Sequence, residues 1–146
     1  MSESLNIDDA SVLCSIVLAA EKDATLRQVI GVADHLNWPP TLELINRSLA
    51  RLMAHGDVTA SGRCLNVSSR VREFHAPHAC LPARLLPQKF LEFLTDGSTA
   101  STRPSPAEPL QYSEAEFTLA CAQWHAKARS IIRALDRTAG PRDRGK

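Results

Sequence analysis

The densest group of side chains suited to chemistry is a short run near the middle of the chain. His75, His78 and Cys80 follow one another in the order HxxHxC, and imidazole nitrogen and thiolate sulfur are common zinc ligands. Cys64 or a carboxylate would complete a tetrahedral set. The paired spacing of ordinary zinc sites is missing, however, and Pro77 interrupts the run. We therefore favour surface histidines and a buried thiol over a metal centre, and we predict no cofactor.

Signatures of catalysis are not found. The sequence contains no GxSxG elbow, no complete phosphate-binding loop of the form GxxxxGK[ST] and no HExxH zinc motif. Glu114 and Glu116 stand two residues apart on a predicted helix, so their side chains diverge and cannot act as an acid–base pair. We therefore predict that the protein is not an enzyme.

Composition favours a folded protein with a modest positive balance. Apolar residues make up 44% and charged residues 23% of the 146 residues, which is enough for a core. Seventeen basic and sixteen acidic residues give a net charge of +1, so any surface for nucleic acid must be local. The four cysteines are scattered, the N-terminus lacks a signal-peptide pattern, and the longest apolar run is short. These features predict a cytoplasmic protein with reduced thiols and no membrane contact.

Three helices are predicted in the first third of the chain. The first begins at Asp8 or Asp9, either of which is a suitable cap. The second starts at a capping box, in which the side chains of Thr25 and Gln28 each bond a backbone amide of the other residue. The third runs over residues 41–55 and stops before a glycine, which favours the left-handed backbone of a helix end.

A β-hairpin is predicted to follow the third helix. Ser61 and Gly62 form a plausible two-residue turn. This turn pairs Val58 with Leu65 and places Val67 on the same face of the hairpin. One side of the hairpin is therefore apolar and is expected to pack on the helices.

The second half of the chain divides into four segments: a short helical extension over 77–94, a flexible linker over 95–110, a long amphipathic helix over 111–138 and a disordered basic tail over 139–146. Ser113 and Glu116 form a second capping box at the start of the long helix, and Gly140 with Pro141 is expected to end it. Its apolar residues alternate at spacings of four and three, as in a coiled-coil seam: Phe117, Cys121, Trp124, Ala128, Ile131 and Leu135. This seam either pairs with a second copy, which we favour, or packs back onto the same chain.

The order helix, helix, helix, hairpin resembles a winged helix-turn-helix domain. The resemblance is carried by residues 24–60, ATLRQVIGVADHLNWPPTLELINRSLARLMAHGDVTA, and covers about half of the chain. It implies a mainly α fold with a small β-hairpin, in which residues 8–76 form the winged domain and the rest forms a C-terminal helical extension. In this family the third helix enters the major groove of DNA.

The resemblance assigns a set of candidate DNA-binding residues. They are Thr41, Glu43, Asn46, Arg47 and Arg51 on the third helix, with Arg63, Arg70 and Arg72 on and after the hairpin. Arginine reads guanine and asparagine reads adenine through paired hydrogen bonds, whereas the last three arginines are suited to phosphates. Residues 41–73 carry a local charge of +2, from five basic and three acidic residues.

Two functions from different classes fit these features. The first is a dimeric DNA-binding transcriptional regulator that uses helix 41–55 as its recognition helix. The alternative is a winged-helix protein–protein interaction module without DNA binding, which uses Leu44, residues 90–94 or the seam to hold a partner. Salt separates the two, because phosphate-driven binding weakens steeply with ionic strength and apolar contacts do not.

Overall fold

The computed structural model of the chain describes residues 5–19, 22–36, 38, 40–95 and 110–143, with residues 136–143 described by their backbone alone. Its elements, in chain order, are helices α1 (Ile7–Ala19), α2 (Leu26–His35) and α3 (Leu42–His55), strands β1 (Val58–Ser61) and β2 (Cys64–Val67), and helices α4 (Ser69–His75), α5 (Leu86–Thr95) and α6 (Glu114–Asp143). The predicted architecture, mainly helical with one small antiparallel hairpin, is confirmed for these residues. None of the described helices is both long and apolar enough to cross a bilayer.

Side chains at the helix starts satisfy backbone amides that have no partner within the helix. The capping box of Thr25 and Gln28 is present as predicted. At α1 the prediction was wrong, because Asn6 is the cap: its Oδ1 accepts the amides of Asp8 at 3.0 Å and Asp9 at 3.1 Å. The carboxylate of Asp9 accepts the amide of Asn6 at 3.0 Å in return. Asp9 therefore stands at the third position of a capping box and not at the cap itself.

The hairpin differs from the prediction in its register. The paired residues are Val58 with Val67, Thr59 with Asn66, Ala60 with Leu65 and Ser61 with Cys64. The turn is therefore Gly62-Arg63, and Gly62 takes a positive φ of 62° as the first turn residue, a position that favours glycine. The predicted pairing was wrong by two residues. Because a shift of two preserves the face of every side chain, Val58, Leu65 and Val67 are buried as expected.

Helix α1 lies at the centre of the core and packs against α2, α3 and α5. Phe90 of α5 is fully buried in the same core, so the helical extension after the hairpin shares one core with the first three helices. Ala24, between α1 and α2, makes two backbone hydrogen bonds with Leu65 of β2, at 2.7 and 2.8 Å. This bridge ties the start of α2 to the edge of the hairpin.

Helix α6 crosses α2 at a point where α2 has no side chain. The ring of Trp124 lies against the backbone of Gly31, and a Cβ atom at residue 31 would approach the ring to 2.9 Å. The indole Nε1 of Trp124 also donates to Asp34 on α2, at 3.2 Å. Only glycine permits so close an approach, so Gly31 fixes the path of α6 over the body.

The far end of α6 extends beyond its predicted limit. The helix continues through Gly140 and Pro141 to Asp143. A proline removes one helical hydrogen bond and crowds the preceding turn, but these costs do not oblige a helix to stop. Most of the predicted linker, residues 96–109, and the end of the predicted tail, residues 144–146, lie outside the described residues.

We predict that Gly31→Ala destabilises the protein by about 1–3 kcal/mol, because the added methyl group collides with the ring of Trp124. In a Trp124→Ala background the same change should be neutral or stabilising by up to ~1 kcal/mol, since alanine is the better helix former. Urea unfolding followed by far-UV circular dichroism measures both values. An equal cost in the two backgrounds would show that the ring is not the obstacle.

Candidate interaction surface

The candidate recognition surface is the outward face of α3. The hydroxyl of Thr41 accepts the amide of Leu44 at 3.1 Å and caps the helix, and Gly56 ends it with a left-handed φ of 89°. Ile45, Leu49 and Leu52 point into the core. The residues left on the opposite face are Glu43, Arg47, Ala50 and Ala54. This face therefore carries one cation, one anion and two methyl groups.

Two arginines of α3 contact carboxylates at the start of α1. Arg47 lies 3.9 Å from Asp8, and both side chains are about half exposed, 47% and 46%, so this pair is weak. Arg51 lies 3.4 Å from Asp9, whose side chain is fully buried. A buried carboxylate needs a cationic partner, and Arg51 therefore has a structural role at this position.

Asn46 is occupied by the segment that leads into α6. Its Nδ2 donates to the carbonyl of Tyr112 at 3.0 Å, and its Oδ1 accepts the amide of Tyr112 at 2.9 Å. The phenol of Tyr112 donates to the carbonyl of Arg63 at 3.0 Å, and burial raises the pKa of this phenol to about 12. The amide that was a candidate adenine reader thus holds Tyr112 against α3 and the hairpin.

Arg63, at the tip of the hairpin, binds the start of α6. Its Nε donates to Glu116 Oε2 at 2.9 Å, and its Nη2 donates to Glu116 Oε1 and to the carbonyl of Gln111. Glu116 also completes the predicted capping box with Ser113. The hydrogen bonds from Arg63 and from the Ser113 amide lower the pKa of Glu116 to about 2. The hydrogen bond with Glu116 in turn raises the pKa of Arg63.

The two arginines after the hairpin are also engaged. Arg70 donates to the fully buried carboxylate of Asp57 at 2.7 Å and lies over the ring of Phe93. The second oxygen of Asp57 contacts Nδ1 of His55. Arg72 donates to Asn66 at 2.9 Å. Asp57 therefore joins the end of α3, the hairpin and α4 through buried polar contacts.

Carboxylates of the same chain compensate the whole positive charge of the predicted surface. Each of the five arginines in residues 41–73 contacts a polar group of the same chain, and three of the carboxylates involved come from outside that stretch: Asp8, Asp9 and Glu116. Including them changes the local charge from +2 to −1. Sequence spacing gave no signal for these contacts, since the paired residues lie far apart along the chain.

The metal candidates are not brought together into a ligand set. Among the described residues, no group of three or more His, Cys, Asp or Glu side chains is placed to hold a metal ion. His78 contacts the carbonyl of Phe74 at 2.8 Å, and His75 stacks on Phe90. Burial, with nearby Arg72, lowers the pKa of His75. Both histidines therefore belong to the aromatic contacts around α4 and α5. The prediction of a buried thiol was wrong for Cys80, which is exposed.

The predicted seam of α6 divides into two halves. Phe117, Cys121 and Trp124 pack against the core of their own chain. Ile131 and Leu135 are exposed, at 48% and 63%, and Ala128 lies between the two halves, half-buried. Packing within the chain therefore accounts for the first half of the seam, and the second half is available to a partner.

The chain matches no protein-family model, no curated protein and no solved structure. The fold and its surfaces are therefore the guide to its function. Two features define these surfaces: an α3 face whose charges are compensated within the chain, and a half-exposed apolar stripe on α6.

We predict that Asn46→Ala lowers the free energy of unfolding by about 1–3 kcal/mol, because both backbone groups of Tyr112 lose their partner. Urea unfolding measures this change. Gln88→Ala, which removes an exposed amide from α5, is the matched control and should stay within ~0.5 kcal/mol of wild type. Equal effects of the two substitutions would contradict a structural role for Asn46.

The ion pair of Arg63 and Glu116 predicts a pH dependence. The pKa of Glu116 in the folded protein, about 2, lies below its ordinary value of 4.5. Its contribution to stability is therefore complete above pH 4.5 and is lost as the pH falls towards 2. The difference in unfolding free energy between wild type and Glu116→Gln should shrink over this range. Glu114→Gln removes a carboxylate that does not bind Arg63, and a shrinkage of the same size in that variant would contradict the assignment.

Proposed function

We propose that this chain is a winged helix-turn-helix protein that acts as a protein–protein interaction module. The winged-helix assignment is supported by the order of its elements: α1, the bridge at Ala24, α2, α3 and the hairpin of β1 and β2. The helical extension at the C-terminus, α6, docks on α2 and carries the apolar surface of the module. Fold alone does not decide whether such a domain binds a protein or DNA. The chemistry of its surfaces is therefore the basis for choosing between them.

One observation carries the choice of a protein partner over DNA. The arginines that would contact the duplex hold carboxylates or an amide of their own chain, and two of these carboxylates, Asp9 and Asp57, are fully buried. A phosphate that recruited Arg51 or Arg70 would leave a buried anion without its partner, which costs several kcal/mol (roughly 3–5). These two partly buried arginines therefore have a structural role as partners of buried carboxylates.

Duplex DNA remains the second candidate because of Arg47. It stands on the outward face of α3, and its 3.9 Å contact with the half-exposed Asp8 is easily broken. A guanidinium in this position has the reach and chemistry to contact a base or a phosphate in the major groove.

We predict that Arg47→Ala does not change the affinity for mixed-sequence duplex DNA, measured by fluorescence anisotropy from low to physiological salt. Weak binding at low salt through the basic C-terminal residues would be the same in wild type and variant. Arg84→Ala, at an exposed arginine outside α3 and the hairpin, is the matched control. Arg51→Ala is not a suitable variant, because it would remove the partner of the buried Asp9 carboxylate and destabilise the fold.

The opposite result would favour the second candidate. In that result, the affinity for duplex DNA falls with salt. It is reduced in Arg47→Ala and unchanged in Arg84→Ala. A salt dependence reduced by about one counterion would then indicate that Arg47 contacts a phosphate.

A further inference from the structure

The second half of α6 presents apolar side chains that the described residues of the chain leave exposed. Ile131, Ile132 and Leu135 are 48%, 56% and 63% exposed. Ala128 precedes them on the same face of the helix. Three large aliphatic side chains exposed side by side on one face are typical of a surface that another molecule covers.

A groove lies beside the point where α6 leaves the body. It has a volume of about 490 Å³ and runs between the end of α1, α2 and α6. Its apolar lining includes Leu18, Val32, Leu36 and Trp124. Asp34 and Lys127 are among its polar lining residues. The groove and the uncovered stripe are therefore neighbours along one helix, the groove beside residues 124–127 and the stripe over residues 128–135.

Charge is divided unevenly along the sequence. Residues 127–146 contain seven basic and two acidic residues, a net charge of +5, whereas residues 1–126 carry −4. A second copy of the chain thus offers an acidic body to the basic end of the first. Opposite net charges favour the encounter of two such surfaces.

We propose that a second copy of the chain fills this groove, with the two α6 helices antiparallel, so that residues 132–135 of each copy lie against the groove of the other and residues 128–131 of the two copies pair at the crossing. The proposal rests on the protein-interaction function proposed above and names its partner. It describes an isologous dimer, in which both copies contribute the same two surfaces.

The antiparallel direction follows from the positions of groove and stripe on α6. A crossing centred between residues 129 and 130 sets Leu135 of one copy beside Trp124 of the other. It also sets Ile131 of one copy beside the small Ala128 of the other. The basic end of each helix then runs over the acidic body of its partner. A parallel pair would set the two basic ends of α6 side by side and would leave both grooves unfilled.

The test is the oligomeric state of the full chain by sedimentation velocity over a dilution series. We expect a reversible dimer for wild type and a dissociation constant raised about 100-fold or more by Ile131→Asp, because two unpaired carboxylates would become buried per dimer. Ile131 is exposed in the single chain, so this variant should unfold thermally like wild type at a concentration where both are monomeric. Leu119→Asp changes an equally exposed residue of α6 (58%) outside the proposed interface and should dimerise like wild type.

A second variant tests the groove separately from the stripe. Val32→Lys places a charge in the groove and should also weaken the dimer, with circular dichroism confirming the fold. A wild-type chain that stays monomeric overturns the proposal, as does a dimer that withstands Ile131→Asp. A dimer lost in Ile131→Asp but intact in folded Val32→Lys overturns the antiparallel arrangement. A monomer that binds anionic lipid vesicles through α6 would also overturn it. The DNA titration with Arg47→Ala is independent of all these results, so the proposed function can fail or stand separately.

Discussion

The arrangement of this protein depends on the contact between the ring of Trp124 and the bare backbone of Gly31. A helix as long as α6 touches a small body at few points, so its direction is set by where its large side chains can sit. The absence of a Cβ atom at Gly31 lets the indole approach α2 closely, and the hydrogen bond to Asp34 fixes its orientation. From this point the helix continues away from the core, which leaves its later apolar residues exposed.

The same docking explains why polar side chains of α3 and of the hairpin tip are bonded within the chain. For α6 to start where it does, residues 110–116 must lie along α3 and the hairpin tip. Asn46 holds the backbone of Tyr112 there, and Arg63 holds Glu116. Polar groups on the outside of a fold are ordinarily available to other molecules. In this chain the segment before α6 occupies two of them, and the start of α1 occupies Arg51.

Local signals in the sequence were sufficient to predict most element boundaries, because a cap or a helix stop is specified by residues three or four positions apart. The capping box at Thr25, the one at Ser113 and the glycine after α3 are examples. The hairpin register was not accessible in this way. Turns at Ser61-Gly62 and at Gly62-Arg63 bury the same alternating residues, so the apolar pattern cannot distinguish them. The ion pairs at Asp9 and Glu116 join distant segments, and no spacing along the chain encodes them.

The stripe on α6 shows a related limit of periodicity. Its heptad spacing is uniform from Phe117 to Leu135, and spacing alone assigns the whole stripe to one partner. The stripe is nevertheless divided into a packed half and an exposed half, because α2 faces only its first half. Where α2 offers a glycine, the stripe packs on its own chain, and beyond that point the part of the chain that the structure describes leaves Ile131 and Leu135 exposed. The charge pattern changes at the same place, since the basic residues gather after Trp124. When the apolar spacing of a helix continues beyond the surface it packs on, its first part can pack on its own core and its second part can pack on another chain.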